Sequence, residues 1–181
     1  MLQIDPLKRP PNAELELAGS KSITNRALLI AALAEGKSTL SRALFAEDTL
    51  AMINCLQAFG IDIKHDHTTA TIAINGSGGE LETPQEELWV RQSGTTARFI
   101  LPLSALVKAP IEVDGDNQIR SRPQHDLLLA LNELGVEIAH NREMGHLPLT
   151  IDGSNLTVTD ISVSGETSSQ YLSALLLVGP C

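Results

Sequence analysis

Gly19-Ser20-Lys21-Ser22-Ile23-Thr24-Asn25-Arg26 leads directly into the apolar run Ala27-Leu28-Leu29-Ile30-Ala31-Ala32-Leu33. A Gly/Ser/Thr turn followed by a strongly apolar helix returns at Ser93-Gly94-Thr95-Thr96-Ala97-Arg98 and at Gly165-Glu166-Thr167-Ser168-Ser169-Gln170. Gly19 and Gly94 are 75 residues apart (94 − 19), and Gly60 and Gly135, each placed to close a later helix, share that offset (135 − 60). One offset at two separate landmarks means that a whole structural unit is duplicated. Each turn opens a helix, whose first N–H groups are free and carry partial positive charge. Such an end suits phosphate or carboxylate, and three brought together would form one polyanion site.

Outward from these turns, the chain reads as repeated β-α-β-α-β-β units of an α/β (α+β) fold. Pro6, Pro10 and Pro11 forbid a helix over residues 1–12, which read as extended. Leu15-Glu16-Leu17 alternates as a strand does. A helix over 22–33, a strand over 38–44 and a helix from an Asp48 N-cap to Phe59 follow. Strands over 61–64 and 69–74, closed by Asn75-Gly76, complete the first unit. The second retraces this order: strand 88–91, helix 95–107, strand 110–114, helix 123–134, then strands 136–139 and 147–151 with Asp152-Gly153 as the turn. A third begins with a strand over 157–164 and a helix over 168–178, stopped by Gly179-Pro180. The units span about 13–78, 84–154 and 157–181, the last lacking its remaining elements. The last helix carries Tyr171, Leu172, Leu175, Leu176 and Leu177 on nearly all faces, a pattern that predicts burial all round or self-association.

Composition bounds the chemistry. With 43% hydrophobic and 19% charged residues among 181, the chain packs a core rather than staying disordered. Aromatics are only 3%, so that core is aliphatic and no base-stacking platform exists. A net charge of −9 argues against nucleic acid or an anionic membrane as partner. It leaves a small anion open, because a few focused cations decide that case. Cys55 and Cys181 make no disulfide framework, and Cys55 lies in an apolar helical run where a buried thiol is expected. No apolar stretch reaches a membrane-spanning length, and a cytoplasmic location fits best. The five histidines have no metal-ligand spacing, with His65 and His67 expected to be exposed, and no metal or cofactor is implied. Gly36-Lys37-Ser38-Thr39 looks like the end of a P-loop, but Ala31 stands where that motif needs Gly.

Lys21 and Arg26 flank the first turn of an apolar helix, where a cation opposes the helix dipole. A bound anion would explain them; a solvated Lys and a locally paired Arg would serve as well. Arg120 and Arg122 read as alternating in an extended run, so that only one faces a given site. The guanidinium fork suits carboxylate or phosphate, although a surface Arg is equally compatible. Ser168, Ser169 and Gln170 offer hydroxyl and amide donors at a helix start, where plain capping is the other reading. Gly94 allows close backbone approach.

Taken together, the first turn, Ser93–Arg98, Ser121-Arg122-Pro123 and Ser168-Ser169-Gln170 resemble, in order, the signatures of the 5-enolpyruvylshikimate-3-phosphate synthase family. The resemblance implies the enolpyruvyl transferase fold, an inside-out α/β barrel of two globules with three such units each. This chain would be about two and a half units of the N-terminal globule, residues 13–181, with 1–12 crossing to the C-terminal globule as its partner. It implies transfer of the enolpyruvyl group of phosphoenolpyruvate to the 5-hydroxyl of shikimate 3-phosphate, releasing phosphate. Lys21 would be catalytic and touch both substrates. Ser22, Arg26, Ser168, Ser169 and Gln170 would hold shikimate 3-phosphate; Gly94, Arg122 and Gln170 would hold phosphoenolpyruvate. The family's acidic proton-transfer residues have no match here, so the chain alone would bind without turnover. Gln92 and Phe99 depart from the family's usual residues, which bears on the phosphoenolpyruvate pocket and on glyphosate sensitivity. Two alternatives are a non-catalytic anion-binding remnant and the related transferase acting on UDP-N-acetylglucosamine. The latter typically has Lys-Asn in the first turn, against Lys21-Ser22 here.

Overall fold

A computed structural model describes residues 6, 8–157 and 159–181. Helix α1 (Lys21–Leu33) leads to β1 (Glu35–Leu40), α2 (Glu47–Ala58), β2 (Asp62–Asp66) and β3 (Thr71–Ser77). Then come β4 (Leu88–Trp89), α3 (Gly94–Ser104), β5 (Pro110–Asp114), α4 (Asn117–Arg120), α5 (His125–Glu133), β6 (Glu137–His140), β7 (Leu149–Asp152) and α6 (Ser169–Val178). One sheet has the order β1-β3-β2, all antiparallel. The other is β4-β5-β7-β6, with β4 parallel to β5 and the rest antiparallel. Thus β5-β7-β6 repeats β1-β3-β2. The offset read from the glycines also separates the starts of β1 and β5 (110 − 35) and of β2 and β6 (137 − 62), 75 in each case. The two sheets do not close into a barrel among the described residues.

Serine side chains start the three helices of the repeated turns. Ser20 Oγ accepts from the Ile23 N–H at 3.4 Å, Ser93 Oγ from Thr96 at 3.1 Å and Ser168 Oγ from Gln170 at 3.2 Å. Each satisfies one of the free N–H groups at a helix start. The aliphatic core forms around α3, buried at every position but Arg98, with Phe99, Ile100, Leu101 and Leu103 fully enclosed. Leu28, Leu29 and Ala32 of α1, Ile72 and Ile74 of β3, and Val113, Leu149 and Ile151 of the second sheet join it. Helix α6 buries Tyr171, Ala174 and Val178, half-buries Leu175 and Leu177, and leaves Leu172 and Leu176 exposed. A helix expected to need cover on all sides is therefore covered on one.

Several local expectations are corrected. Residues 15–17 form no strand: Leu15 and Leu17 stay about three-quarters exposed, at 78% and 74%, so the alternation has no apolar surface to bury against. Residues 159–164 form no strand either. Asn75-Gly76 is not the hairpin turn but lies within β3, opposite Lys37 and Gly36 of β1. The chain reverses at 67–70, where Asp66 Oδ1 accepts from the Thr68 N–H at 2.8 Å, Oδ2 accepts from the Thr69 hydroxyl at 2.9 Å, and Ala70 takes a φ of 50°. These bonds hold the Asp66 carboxyl below its ordinary pKa. Asp48 is inside α2 rather than its cap; Thr49 Oγ1 accepts from the Ala46 N–H at 2.9 Å instead. Residues 117–120 are helical, so Arg120 and Arg122 do not alternate along an extended run. The reading of residues 1–12 falls partly outside the described residues. His65 and His67 are exposed as expected, and His67 stacks on Phe45 with ring centroids 4.1 Å apart.

Cys55 is buried and burial pushes its thiol up to about 12, whereas Cys181 is exposed. Thiolate is the reactive form. A disulfide reagent at pH 8 should therefore modify one thiol per chain at once and the second only on unfolding. Two thiols reacting together in the folded protein would contradict this packing.

Candidate active site

The three serine-capped helix starts meet. Lys21 Nζ at the start of α1 pairs at 3.0 Å with Asp48 Oδ2 in the first turn of α2. The Asp48 carbonyl accepts from the Thr96 hydroxyl in the first turn of α3 at 3.0 Å. Beside it, Thr95 Oγ1 accepts from Gln170 Nε2 in the first turn of α6 at 3.2 Å. Arg26 adds a second tie, its guanidinium 5.4 Å from the Phe99 ring centroid on α3. The sequence expected three turns to gather, and these bonds join them. Helix ends that would repel one another are held together by Asp48 of α2, through its carboxylate and its carbonyl, and by Thr95 and Thr96.

Arg122 reaches this junction from the second unit. A Cβ built on Gly94 would lie 3.0 Å from Arg122 Nη1, so the missing side chain is the space the guanidinium occupies. The Arg122 carbonyl accepts from Gln124 Nε2 at 3.1 Å, and the Pro123 carbonyl from the buried Tyr171 hydroxyl at 2.8 Å. Helix α6 thereby fixes the turn that carries Arg122. Among the described residues no carboxylate pairs with Arg122 or Arg26. Arg120 differs: its Nε donates to Asp114 Oδ1 at 2.8 Å and its Nη2 to Oδ2, and it stands over Trp89. Of the two arginines, then, Arg122 is left unpaired. Nearby, burial raises the Glu87 carboxyl above its ordinary value, with Asp114 and Glu112 adding to the effect.

The third group is Ser168-Ser169-Gln170. Ser22 and Ser169 are exposed. Ser168 Oγ and Gln170 Oε1 both accept from Nη1 of Arg98, at 3.1 and 2.6 Å. Arg98 ends the Ser93–Arg98 motif, where local sequence gives it no partner. Its pairing residues are 70 and 72 positions away, beyond the reach of local pattern. The dipole argument used for Lys21 was the signal available. Asn25, one residue before Arg26, is wholly buried, and neither amide atom has a partner among the described residues. Among the described residues no group of three or more His, Cys, Asp or Glu side chains gathers as a metal site requires.

A sequence model of the EPSP synthase family, described as 3-phosphoshikimate 1-carboxyvinyltransferase, matches residues 8–181. The chain belongs to the EPSP synthase family. It is 41% identical over 179 residues to the 3-phosphoshikimate 1-carboxyvinyltransferase of Trichormus variabilis, covering 99% of this chain and 42% of that protein. The namesake in Methanothermobacter thermautotrophicus is 41% identical over 161 residues, covering 89% and 38%. An EPSP synthase structure from Acinetobacter baumannii superposes with a TM-score of 0.78 at 26% identity, over 91% of this chain and 38% of that one. The chain thus spans about two fifths of its relatives' length, and the EPSP synthase fold extends beyond what these residues build.

Proposed function

We propose that this chain supplies part of the substrate site of an enzyme that transfers the enolpyruvyl group of phosphoenolpyruvate to the 5-hydroxyl of shikimate 3-phosphate, releasing phosphate. The observation that carries this reading is the junction of the α1, α3 and α6 starts through Lys21, Asp48, Thr96, Thr95 and Gln170. Both substrates are polyanions, and the junction offers helix N–H groups with Lys21, Arg26 and Arg122 around them. Shikimate 3-phosphate is taken by Lys21, Ser22, Arg26, Ser168, Ser169 and Gln170. Phosphoenolpyruvate is taken by Lys21, Gly94, Arg122 and Gln170. Lys21 stands between the two and stabilises the charge that develops as phosphate leaves. On this reading residues 13–181 are one globule and 1–12 cross to a second, which brings the proton-transfer carboxylates. The place of action is the cytoplasm, and no helix among the described residues is long and apolar enough to cross a membrane.

Calorimetric titration of the chain with shikimate 3-phosphate tests the reading. Binding should appear and weaken from low to high salt, as contacts between exposed charges are screened. No phosphate should be released when both substrates are added to the pure chain. Absence of binding at low salt overturns the site; turnover by the pure chain overturns the division of labour. Inorganic phosphate bound as tightly as shikimate 3-phosphate would favour a plain anion-binding remnant.

A further inference from the structure

Serine and glutamine side chains are ambidextrous: each donates and accepts hydrogen bonds. An anion accepts only, so a site built from them must show it their donors. Arg98 settles which end they show. Its guanidinium has no acceptor, so the Gln170 side-chain atom 2.6 Å from Nη1 is the amide oxygen and the other is the nitrogen. That nitrogen gives one hydrogen to Thr95 Oγ1 at 3.2 Å and keeps a second. Ser168 Oγ accepts from Arg98 Nη1 at 3.1 Å and from the Gln170 backbone N–H at 3.2 Å. Its two lone pairs are used, and its O–H remains to donate.

We propose that Arg98 is a positioning residue that turns Ser168 and Gln170 into donors for the anionic substrate by occupying their acceptor atoms. The inference rests on the substrate site proposed above. Two further features favour positioning over direct contact with substrate. The guanidinium carbon lies 5.1 Å from the Tyr171 ring centroid, so α6 also holds its face. Its Nε–H is buried with no partner among the described residues, so the head group is oriented for its bonds to α6 and not for its own full satisfaction. Lysine at 98 keeps the charge but cannot present the planar fork.

The test is a cycle on shikimate 3-phosphate affinity with Arg98→Lys, the pair Ser168→Ala with Gln170→Ala, and all three together. Arg98→Lys alone should weaken binding roughly tenfold, but no more than about twofold where Ser168 and Gln170 are both replaced by alanine. Equal losses in both backgrounds would mean that Arg98 acts directly and would overturn the proposal. A second variant reads the clamp without any ligand. Gln170→Glu gives Arg98 a carboxylate, so the folded protein should melt about 2–4 °C higher while losing affinity. An unchanged or lowered melting temperature overturns the clamp, including where Arg98→Lys does not fold. Should the unmutated chain bind no shikimate 3-phosphate, the substrate site fails, while the melting comparison still decides the clamp.

Discussion

Lys21→Ala and Arg122→Ala should separate the two substrates. In an enzyme with the full length of the relatives, each change deletes a charge-assisted contact in a largely desolvated site, a loss on the order of 2–5 kcal/mol. Arg122→Ala should fall on phosphoenolpyruvate, because its guanidinium occupies the space over Gly94. Lys21→Ala should fall on both. It also strips the partner from Asp48, which is 3.0 Å from Lys21 Nζ, and leaves a bare carboxylate where an anion must enter. The double variant Lys21→Ala, Asp48→Asn should therefore bind shikimate 3-phosphate roughly two- to fivefold more tightly than Lys21→Ala alone. Separate dissociation constants for each substrate check this. Equal losses for both substrates in the Arg122 variant would sink its assignment.

The second large effect is on stability, at two glycines whose space is taken by backbone. A Cβ on Gly76 would lie 2.1 Å from the Ala34 carbonyl oxygen and 2.3 Å from that of Ala31. One on Gly153 would lie 1.9 Å from the Ala105 carbonyl oxygen. Both sit where the last strand of a unit passes under the end of that unit's first helix, so the repeat uses one device twice. Carbonyls cannot rotate aside as a flexible side chain would. Gly76→Ala or Gly153→Ala should each cost about 3 kcal/mol, at the upper end of overpacking. That amounts to roughly 6–12 °C of melting temperature in a chain of this size. Gly165→Ala, with nothing within 4 Å of the added carbon, is the control and should melt like the parent. A comparable loss there would remove the argument.

The repeat was readable because its landmarks are local. Glycine closes α2 at Gly60 and α5 at Gly135 with φ of 85° and 81°, and serine opens α1, α3 and α6. Such signals act over three or four residues, and sequence displays them directly. What failed depends on partners far along the chain. Leu15-Glu16-Leu17 has a strand's alternation, but no surface covers its leucines. Asn75-Gly76 has the composition of a turn, but β1 pairs alongside it and keeps it extended, while Asp66 builds the reversal nine residues earlier (75 − 66). Lys21, Gly94, Arg122, Ser168 and Gln170 gather around the junction of the helix starts, where their substrate roles are proposed. Arg98 was visible as a cation and invisible as a clamp, because α6 had first to be folded against α3.

The gathered helix starts also make the protein's melting a gauge of what fills them. Helix ends carrying partial positive charge, with Lys21, Arg26, Arg98 and Arg122 close by, repel one another, and among the described residues only Asp48 sets a carboxylate against Lys21. The chain as a whole carries −9, so this focus is held against the sign of the molecule. An anion that neutralises it binds the folded state and not the unfolded one. By mass action a ligand at a hundred times its dissociation constant adds about 2.7 kcal/mol to unfolding. The helix ends proposed to receive the anion would then be tightened by it, and the temperature at which the protein unfolds would rise with the supply of the proposed substrate.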